Sequence, residues 1–154
     1  MTGTPQTTSS RPAEGARPQA TEVGPTAVRL LLYSDNITTR DAVRAAVGRR
    51  PARDVEVESW LECATAPAVV SAVEQGGFDL LILDGEAAKV GGLGLCRQLK
   101  LEVYNCPPVL VLTGRPQDGW LATWSMAEGS VPHPLDPIAV ADAVADLARG
   151  VARR

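Results

Sequence analysis

Short runs of apolar residues, each ending in polar residues, recur along this chain from residue 28 onward. Continuous apolar runs predict strands that are covered on both faces of a sheet, and apolar positions three and four residues apart predict helices. The predicted strands cover residues 28–33, 55–58, 78–83, 108–112 and 130–132. The predicted helices cover residues 38–47, 67–74, 93–102, a segment containing Trp120 and Trp124, and a final stretch from Pro137. Strands and helices therefore alternate from the first strand to the last helix.

Several residues mark the expected ends of these elements. Thr38 with Asp41 three residues later has the spacing of a capping box and predicts the start of the first helix. Asp136 followed by Pro137 is typical of the first residues of a helix. Pro132 lacks a backbone donor, so the last strand is expected at an edge of the sheet.

The alternation predicts a doubly wound α/β fold, in which a five-stranded parallel sheet carries helices on both faces. Ligands and chemistry in such folds collect beyond the carboxyl ends of the strands. Asp35, Asp84 and Thr113 each lie at or just after the end of a strongly predicted strand. We therefore expect these three residues to meet in one crevice, although they are far apart in the sequence.

Two carboxylates and a hydroxyl in one crevice suit magnesium-assisted phosphoryl transfer. Magnesium prefers oxygen ligands, and it would neutralise charge on the incoming phosphoryl group. One carboxylate could then attack phosphorus while the hydroxyl binds a phosphoryl oxygen. The alternative for Asp84 is a purely local role, because aspartates in loops commonly cap nearby backbone amides.

Composition limits the domain organisation and the kinds of partner. Residues 1–27 are rich in Thr, Pro, Ser and Gly and predict a disordered tail, residues 28–150 one globular domain, and residues 151–154 a short C-terminal tail. The net charge of -3 argues against nucleic-acid binding. No membrane span or signal peptide is evident, so a cytoplasmic protein is expected. The three cysteines are expected to be reduced and mostly buried.

Five segments, in order, resemble the receiver domains of bacterial response regulators. They are residues 29–36 (RLLLYSDN), residues 78–84 (FDLLILD), Gly92, residues 111–114 (VLTG) and residues 133–137 (HPLDP). The resemblance covers residues 28 to about 150. It implies a flavodoxin-like receiver fold with strand order 2-1-3-4-5. The segments are most similar to atypical orphan, single-domain receivers of actinobacterial type, some of which are encoded near genes of the respiratory NADH dehydrogenase.

The resemblance implies a role for each residue of the crevice. Asp84 takes the position of the phosphoacceptor, Asp35 that of the second acid of the magnesium-binding pair, and Thr113 that of the switch hydroxyl. His133 stands where the family has lysine, and a histidine is not a permanent cation near neutral pH. Glu86 lies two residues after Asp84, where it could act as a further magnesium ligand or repel phosphate.

Other family positions also differ in this chain. Ser34 replaces the first acid of the pair, Ser130 the switch aromatic, and Ala88 the usual proline after the phosphoacceptor. The expected magnesium site, formed by Asp35, Asp84 and Glu86, is therefore a weakened one.

Three functions follow as hypotheses. The first is an atypical receiver without an output domain, which is not an enzyme and accepts phosphate at Asp84 from a histidine kinase. The second is a phosphorylation-independent adaptor that docks on a larger assembly, with the respiratory NADH dehydrogenase as one conceivable partner. The third is a flavodoxin-type ligand module, which Asp35 and a loop without glycine at residues 34–39 disfavour.

The face formed by the fourth helix, fifth strand and fifth helix is the expected partner surface in the first two hypotheses. Trp120 and Trp124 lie four residues apart on the fourth helix, so they share one helix face. Tryptophans are enriched at interface hot spots, but core packing explains the same spacing equally well.

Overall fold

A computed structural model of the protein describes residues 24–152. One sheet of five parallel strands has the order β2-β1-β3-β4-β5, which confirms the predicted doubly wound fold. The elements in chain order are β1 (Thr26–Tyr33), α1 (Ile37–Val47), β2 (Val55–Cys63), α2 (Ala66–Gln75), β3 (Leu80–Asp84), α3 (Gly92–Glu102), β4 (Val109–Thr113), a 3-10 turn (Pro116–Asp118), α4 (Trp120–Ser125), β5 (Gly129–Pro132) and α5 (Pro137–Ala152).

Two hydrophobic cores lie on opposite faces of the sheet. Successive side chains of a strand point to opposite faces, so Leu30 and Leu32 enter the core under α1 and α5. Leu31 and Tyr33 enter the other core, under α2 and α3. The central strands are buried on both faces, and this explains why their sequences are continuous apolar runs.

The first helix begins differently from the prediction. Its N-cap is Asn36, whose side chain accepts a hydrogen bond from the backbone N–H of Thr38 at 2.8 Å. The Thr38–Asp41 capping box was therefore wrong. Asparagine is a strong N-cap residue, and here it follows the end of β1 closely, so the helix starts one residue before Thr38.

The second strand is longer than predicted. It continues to Cys63 instead of ending at Glu58, because it pairs with β1 along almost its whole length. The register shifts between Val28 and Arg29, which leaves Glu58 as an extra residue in β2. Pairing with a buried neighbour thus maintains a strand whose own sequence is largely polar.

The ends of the described chain also refine the predicted boundaries. Strand β1 begins at Thr26, so the last two residues of the segment predicted as a tail belong to the sheet. Residues 1–23 and 153–154 of the two predicted tails lie outside the described residues. Helix α5 continues to Ala152, and the Asp136 side chain accepts a hydrogen bond from the N–H of Ile138 at 3.2 Å. Pro132 lies in the edge strand β5, as predicted.

Candidate functional site

The carboxyl ends of the strands surround an open cleft of about 680 Å³. Its lining includes four of the five residues singled out from the sequence, namely Asp35, Asp84, Glu86 and His133. The fifth, Thr113, is the last residue of β4 and is buried. Its hydroxyl lies 3.4 Å from the carbonyl oxygen of Arg115, to which it donates a hydrogen bond. The expected convergence of Asp35 and Asp84 is thus present in the fold.

Asp84 is the last residue of the middle strand β3 and is only 2% exposed. Its Oδ2 accepts a hydrogen bond from the Ser34 hydroxyl at 2.8 Å. Its Oδ1 accepts one from the backbone N–H of Glu86 at 2.9 Å and lies 3.2 Å from His133 Nε2. These contacts offset part of the cost of burying a carboxylate. The local capping role considered for Asp84 therefore exists, but it accounts for only one of its contacts.

Ser34 has a structural role that the sequence did not reveal. The residue is fully buried at the end of the stretch that leads out of β1. Its hydroxyl donates to Asp84 and accepts a hydrogen bond from the N–H of Asn36 at 3.1 Å. A serine in place of an acid therefore removes one negative charge from the site and fixes the orientation of the remaining carboxylate. Its position directly before Asp35 is the only sequence signal for this role.

His133 follows β5 directly and is held from two sides. Its backbone N–H donates to the carbonyl oxygen of Thr113 at 2.7 Å. Its ring reaches back to Asp84, and the side chain is 25% exposed against 3% for the Asp84 side chain. The histidine thus occupies the cleft wall next to the buried carboxylate, where it can donate one hydrogen bond but does not carry a permanent charge.

Asp35 and Glu86 have different surroundings although both line the cleft. Asp35 Oδ2 accepts a hydrogen bond from the N–H of Ala88 at 2.8 Å, which connects the loops after β1 and β3. The Glu86 carboxylate lies directly over Gly114, and any Cβ at that position would collide with it. The pKa of Arg115 is raised, mainly by its hydrogen bonds to Asp118 and least by the charge of Glu86.

The donor set at the cleft fits a partly hydrated magnesium ion. Magnesium is commonly held by one or two carboxylates together with water and phosphate oxygens. Asp35 and Asp84 line the same open cleft and provide two carboxylates. Within residues 24–152, no group of three His, Cys, Asp or Glu side chains is arranged to hold a metal ion. Glu86 therefore does not complete the site in this conformation.

Among residues 24–152, no permanent cation lines the cleft beside its acids. Its lining has three carboxylates, one histidine and no lysine or arginine among the residues that the structure describes. Lys89 lines a neighbouring, mostly apolar pocket of about 500 Å³. Tyr33 also lines that pocket, and its pKa is raised by burial and, to a smaller extent, by the charges of Asp35 and Asp84.

The two tryptophans of α4 lie on the surface. Trp120 is 66% exposed and Trp124 is 47% exposed, so core packing does not explain their spacing. The guanidinium of Arg97 stacks on the Trp124 ring at 5.1 Å and donates to its backbone carbonyl at 2.6 Å. No helix within the described part of the chain is long and apolar enough to span a membrane.

The strand order 2-1-3-4-5, with an aspartate at the end of the middle strand, is the arrangement of a receiver-like α/β domain. Solved structures share this fold. The receiver domain of the Francisella response regulator 1452 matches 80% of this chain and 98% of its own with a TM-score of 0.67 at 12% identity. A CheY-like receiver of Methanospirillum hungatei covers 82% of this chain and 98% of its own with a TM-score of 0.62 at 18% identity.

The sequence comparison identifies the family. An "Uncharacterized response regulatory protein" of Mycobacterium tuberculosis is 52% identical over 127 residues, which are 82% of this chain and 96% of the relative, and the same holds in two strains. No family model matches the chain. The chain belongs to the response regulator receiver family. The flavodoxin-type alternative is therefore dropped, whereas the resemblance to receivers is confirmed.

Proposed function

We propose that this receiver takes part in a phosphorelay and that Asp84 accepts phosphate from a histidine kinase. The observation that carries the proposal is the position of Asp84, which ends the middle strand and opens into a cleft shared with Asp35. A carboxylate held in one orientation by Ser34 and by the Glu86 amide is prepared for attack on phosphorus.

The transfer itself is a substitution at phosphorus. One Asp84 oxygen forms a bond to phosphorus while the bond from phosphorus to the donor's histidine nitrogen breaks. The Ser34 hydroxyl and the Glu86 N–H hold the carboxylate during the reaction. Magnesium, held by Asp35 and Asp84, would supply positive charge that stabilises the transferred group.

The output of the receiver is proposed to be a change in affinity for a partner protein at the face formed by α4, β5 and α5. Thr113 ends β4 beside the cleft, and the 3-10 turn and α4 follow it in the chain. Reorientation of the Thr113 hydroxyl would therefore be passed to the segment that carries Trp120 and Trp124. Exposed tryptophans next to an arginine are the kind of residues that dominate protein interfaces.

A second candidate is an adaptor that binds its partner without phosphorylation. The observation that favours it is the uncompensated charge of the cleft, where His133 replaces lysine and no lysine or arginine is among the described lining residues. The respiratory NADH dehydrogenase stays a prediction from resemblance as the partner, since no contact in the structure bears on it.

The two candidates separate under treatment with acetyl phosphate and magnesium. Intact mass spectrometry should detect addition of one phosphoryl group, and Asp84→Asn should abolish it. Asp142→Asn, an exposed site on α5, is the matched control and should label normally. Absence of labelling under conditions that modify an ordinary receiver would favour the adaptor.

The partner face is tested by capture of binding proteins with a Trp120→Ala, Trp124→Ala double variant. Recovery should fall strongly, whereas Tyr104→Ala, which removes an exposed aromatic in the turn after α3, should leave it unchanged. Equal recovery by a folded double variant would refute this face as the interface.

A further inference from the structure

We infer that a pocket beside the cleft, here called the side pocket, binds a small and mostly apolar carboxylic acid. The side pocket has a volume of about 500 Å³ and is lined by residues that follow β2 and β3 in the chain. Small-molecule sites in proteins commonly have volumes of about 300–1,000 Å³. A ligand there would give the receiver an input that does not require phosphorylation of Asp84.

The lining of the side pocket consists mostly of short apolar side chains. Ala64, Ala66 and Pro67 contribute from the start of α2, and Ala88 and Val90 from the β3–α3 loop. The alanines leave space that longer side chains would fill. Val90 is 39% exposed, so a ligand in the pocket would cover apolar surface that now contacts water.

Hydrogen bonds hold the β3–α3 loop in place at the side pocket. Tyr33 is buried, and its hydroxyl donates to the carbonyl oxygen of Val90 at 2.6 Å. The N–H of Ala88 donates to Asp35 Oδ2 at 2.8 Å. Because this wall is already ordered, binding of a ligand costs little conformational entropy there.

The charged residues of the side pocket determine the class of ligand. Only Asp35 and Lys89 are charged among its described lining residues. One oxygen of Asp35 is already hydrogen-bonded, whereas Lys89 is exposed and forms no ion pair with any residue between 24 and 152. The Lys89 ammonium is therefore available to a carboxylate. An amine would instead be attracted to the three carboxylates of the neighbouring cleft.

The side pocket shares a wall with the cleft. Asp35 and Ala88 line both, and the hydrogen bond between them belongs to that wall. A ligand packed against Ala88 would contact the loop that is bonded to Asp35 without entering the cleft. The backbone amide of Ala88 is therefore a direct reporter of binding.

The test is an NMR titration of the full-length, ¹⁵N-labelled protein with 2-naphthylacetate as the probe. We expect saturable shifts of the Ala88, Lys89 and Val90 amides, with a Kd on the order of 1 mM or tighter. The amides of Trp120 on α4 and Asp142 on α5 should not move. Absence of a saturable shift in the β3–α3 loop would overturn the inference, and it would leave the proposed phosphorylation of Asp84 unaffected.

The neutral amide of the probe tests the role of charge. 2-Naphthylacetamide has the same ring system and should bind about threefold more weakly than the acid, because it cannot form the ion pair with an exposed lysine. Lys89→Met should remove this difference. Arg53→Met, which removes an exposed cation elsewhere on the surface, should preserve it. Equal binding of acid and amide by the native protein, or a difference that survives Lys89→Met, would overturn the inference.

Filling the side pocket tests the location of the site. Ala66 lines the pocket at the start of α2, so Ala66→Leu should weaken binding of both probes by about tenfold. Ala68→Leu, at an exposed position of α2 outside the pocket lining, is the matched control and should bind normally. Val90→Thr, which replaces one methyl group by a hydroxyl, should weaken binding by about threefold and serves if Ala66→Leu does not fold. Unchanged affinity in a folded pocket variant would overturn the inference.

Discussion

Charged side chains lie in two groups at opposite ends of the sheet, and the two groups differ in how their charges are balanced. At the amino end, Lys100 pairs with Glu128 and also donates to the carbonyl oxygen of Pro107 at 3.1 Å. Glu128 in turn accepts a hydrogen bond from the N–H of Val109 at 2.6 Å. At the carboxyl end, Asp84 has hydrogen bonds but no lysine or arginine among the described residues of its cleft.

This difference suggests that the charged group at the amino end contributes to stability, whereas the group at the carboxyl end contributes to reactivity. Removing one partner of a paired charge leaves the other charge uncompensated, and the amino-end group connects α3, β4 and the segment before β5. Carboxylates that line one cleft without a lysine or arginine among the described lining residues favour any positive or electrophilic group that enters. The amino end should therefore respond to substitution through folding, and the carboxyl end through reactivity.

The largest expected change in the free energy of unfolding comes from a substitution that tests whether the carboxyl end of the sheet depends on close packing. Gly92 begins α3, and a Cβ there would lie 2.7 Å from the backbone carbonyl of Asp84. Gly92→Ala should lower the free energy of unfolding by about 3 kcal/mol, because backbone must move to make room. Urea unfolding followed by circular dichroism measures this.

Gly94→Ala, also in α3, is the matched control, since nothing lies within 4 Å of its added Cβ. It should stabilise the helix by about 1 kcal/mol. Equal effects of the two substitutions would disprove the close approach of α3 to Asp84.

The second largest expected change is a loss of stability at alkaline pH, caused by the Cys96 thiol near the Lys100–Glu128 pair. Burial raises the pKa of Cys96, whose neighbours include Lys100 and Glu128, to about 11 from an ordinary value of 9.0. The folded state binds the proton more tightly than the unfolded state, so the contribution is complete below pH 9 and is lost as the pH rises towards 11. The loss should reach up to about 3 kcal/mol.

Urea unfolding at several pH values within about two units of an ordinary thiol pKa measures how the free energy of unfolding changes with pH. Cys96→Ala should flatten it, although the raised pKa values of Cys63, Cys106 and Tyr33 leave a residual decline. An unchanged slope in the variant would assign the alkaline loss to other groups.

A smaller effect is expected from breaking the amino-end pair itself. Lys100→Met leaves Glu128 without its cation and should cost about 2 kcal/mol, less than for a fully buried pair because Glu128 is partly exposed. Thermal and urea unfolding measure the change. Lys89→Met, at an exposed lysine in the β3–α3 loop, should change stability little. Similar costs for the two variants would argue that the Lys100 pair has no structural role.

The smallest effect is expected at Asp84 and has the opposite sign. Asp84→Asn removes one of three carboxylates from the cleft, so it should stabilise the fold by about 1 kcal/mol or less while abolishing acyl phosphate formation. Asp142→Asn serves as the control for unfolding. A loss of more than about 1 kcal/mol in Asp84→Asn would mean that Asp84 is held for stability, against the proposed division of the two ends.

Much of the fold could be predicted because the buried strands have continuous apolar sequences. Residues 78–83 and 108–112 predicted β3 and β4 to within two residues. The outer half of β2 could not be predicted in this way, because Glu58 and Glu62 interrupt the pattern and only pairing with β1 maintains the strand. Local sequence also predicted the wrong cap for α1, because Asn36 and not Thr38 caps the helix.

The site was predictable as a set of positions and not as a set of contacts. Strand ends identified Asp35 and Asp84, because parallel strands bring their carboxyl ends to one edge. The Ser34 bond to Asp84 and the position of Glu86 over Gly114 depend on side-chain conformations between distant segments. Helical spacing placed Trp120 and Trp124 together but cannot show whether a face is buried.

None of the three tryptophans of the chain is fully buried, and this decides what intrinsic fluorescence can report. Trp120 already faces water, so unfolding should shift its emission little. Binding of a partner protein over α4 should shift the emission to shorter wavelength, because the indole rings of Trp120 and Trp124 would contact protein instead of water. The native chain thus contains its own optical probe of docking, and it needs no attached dye.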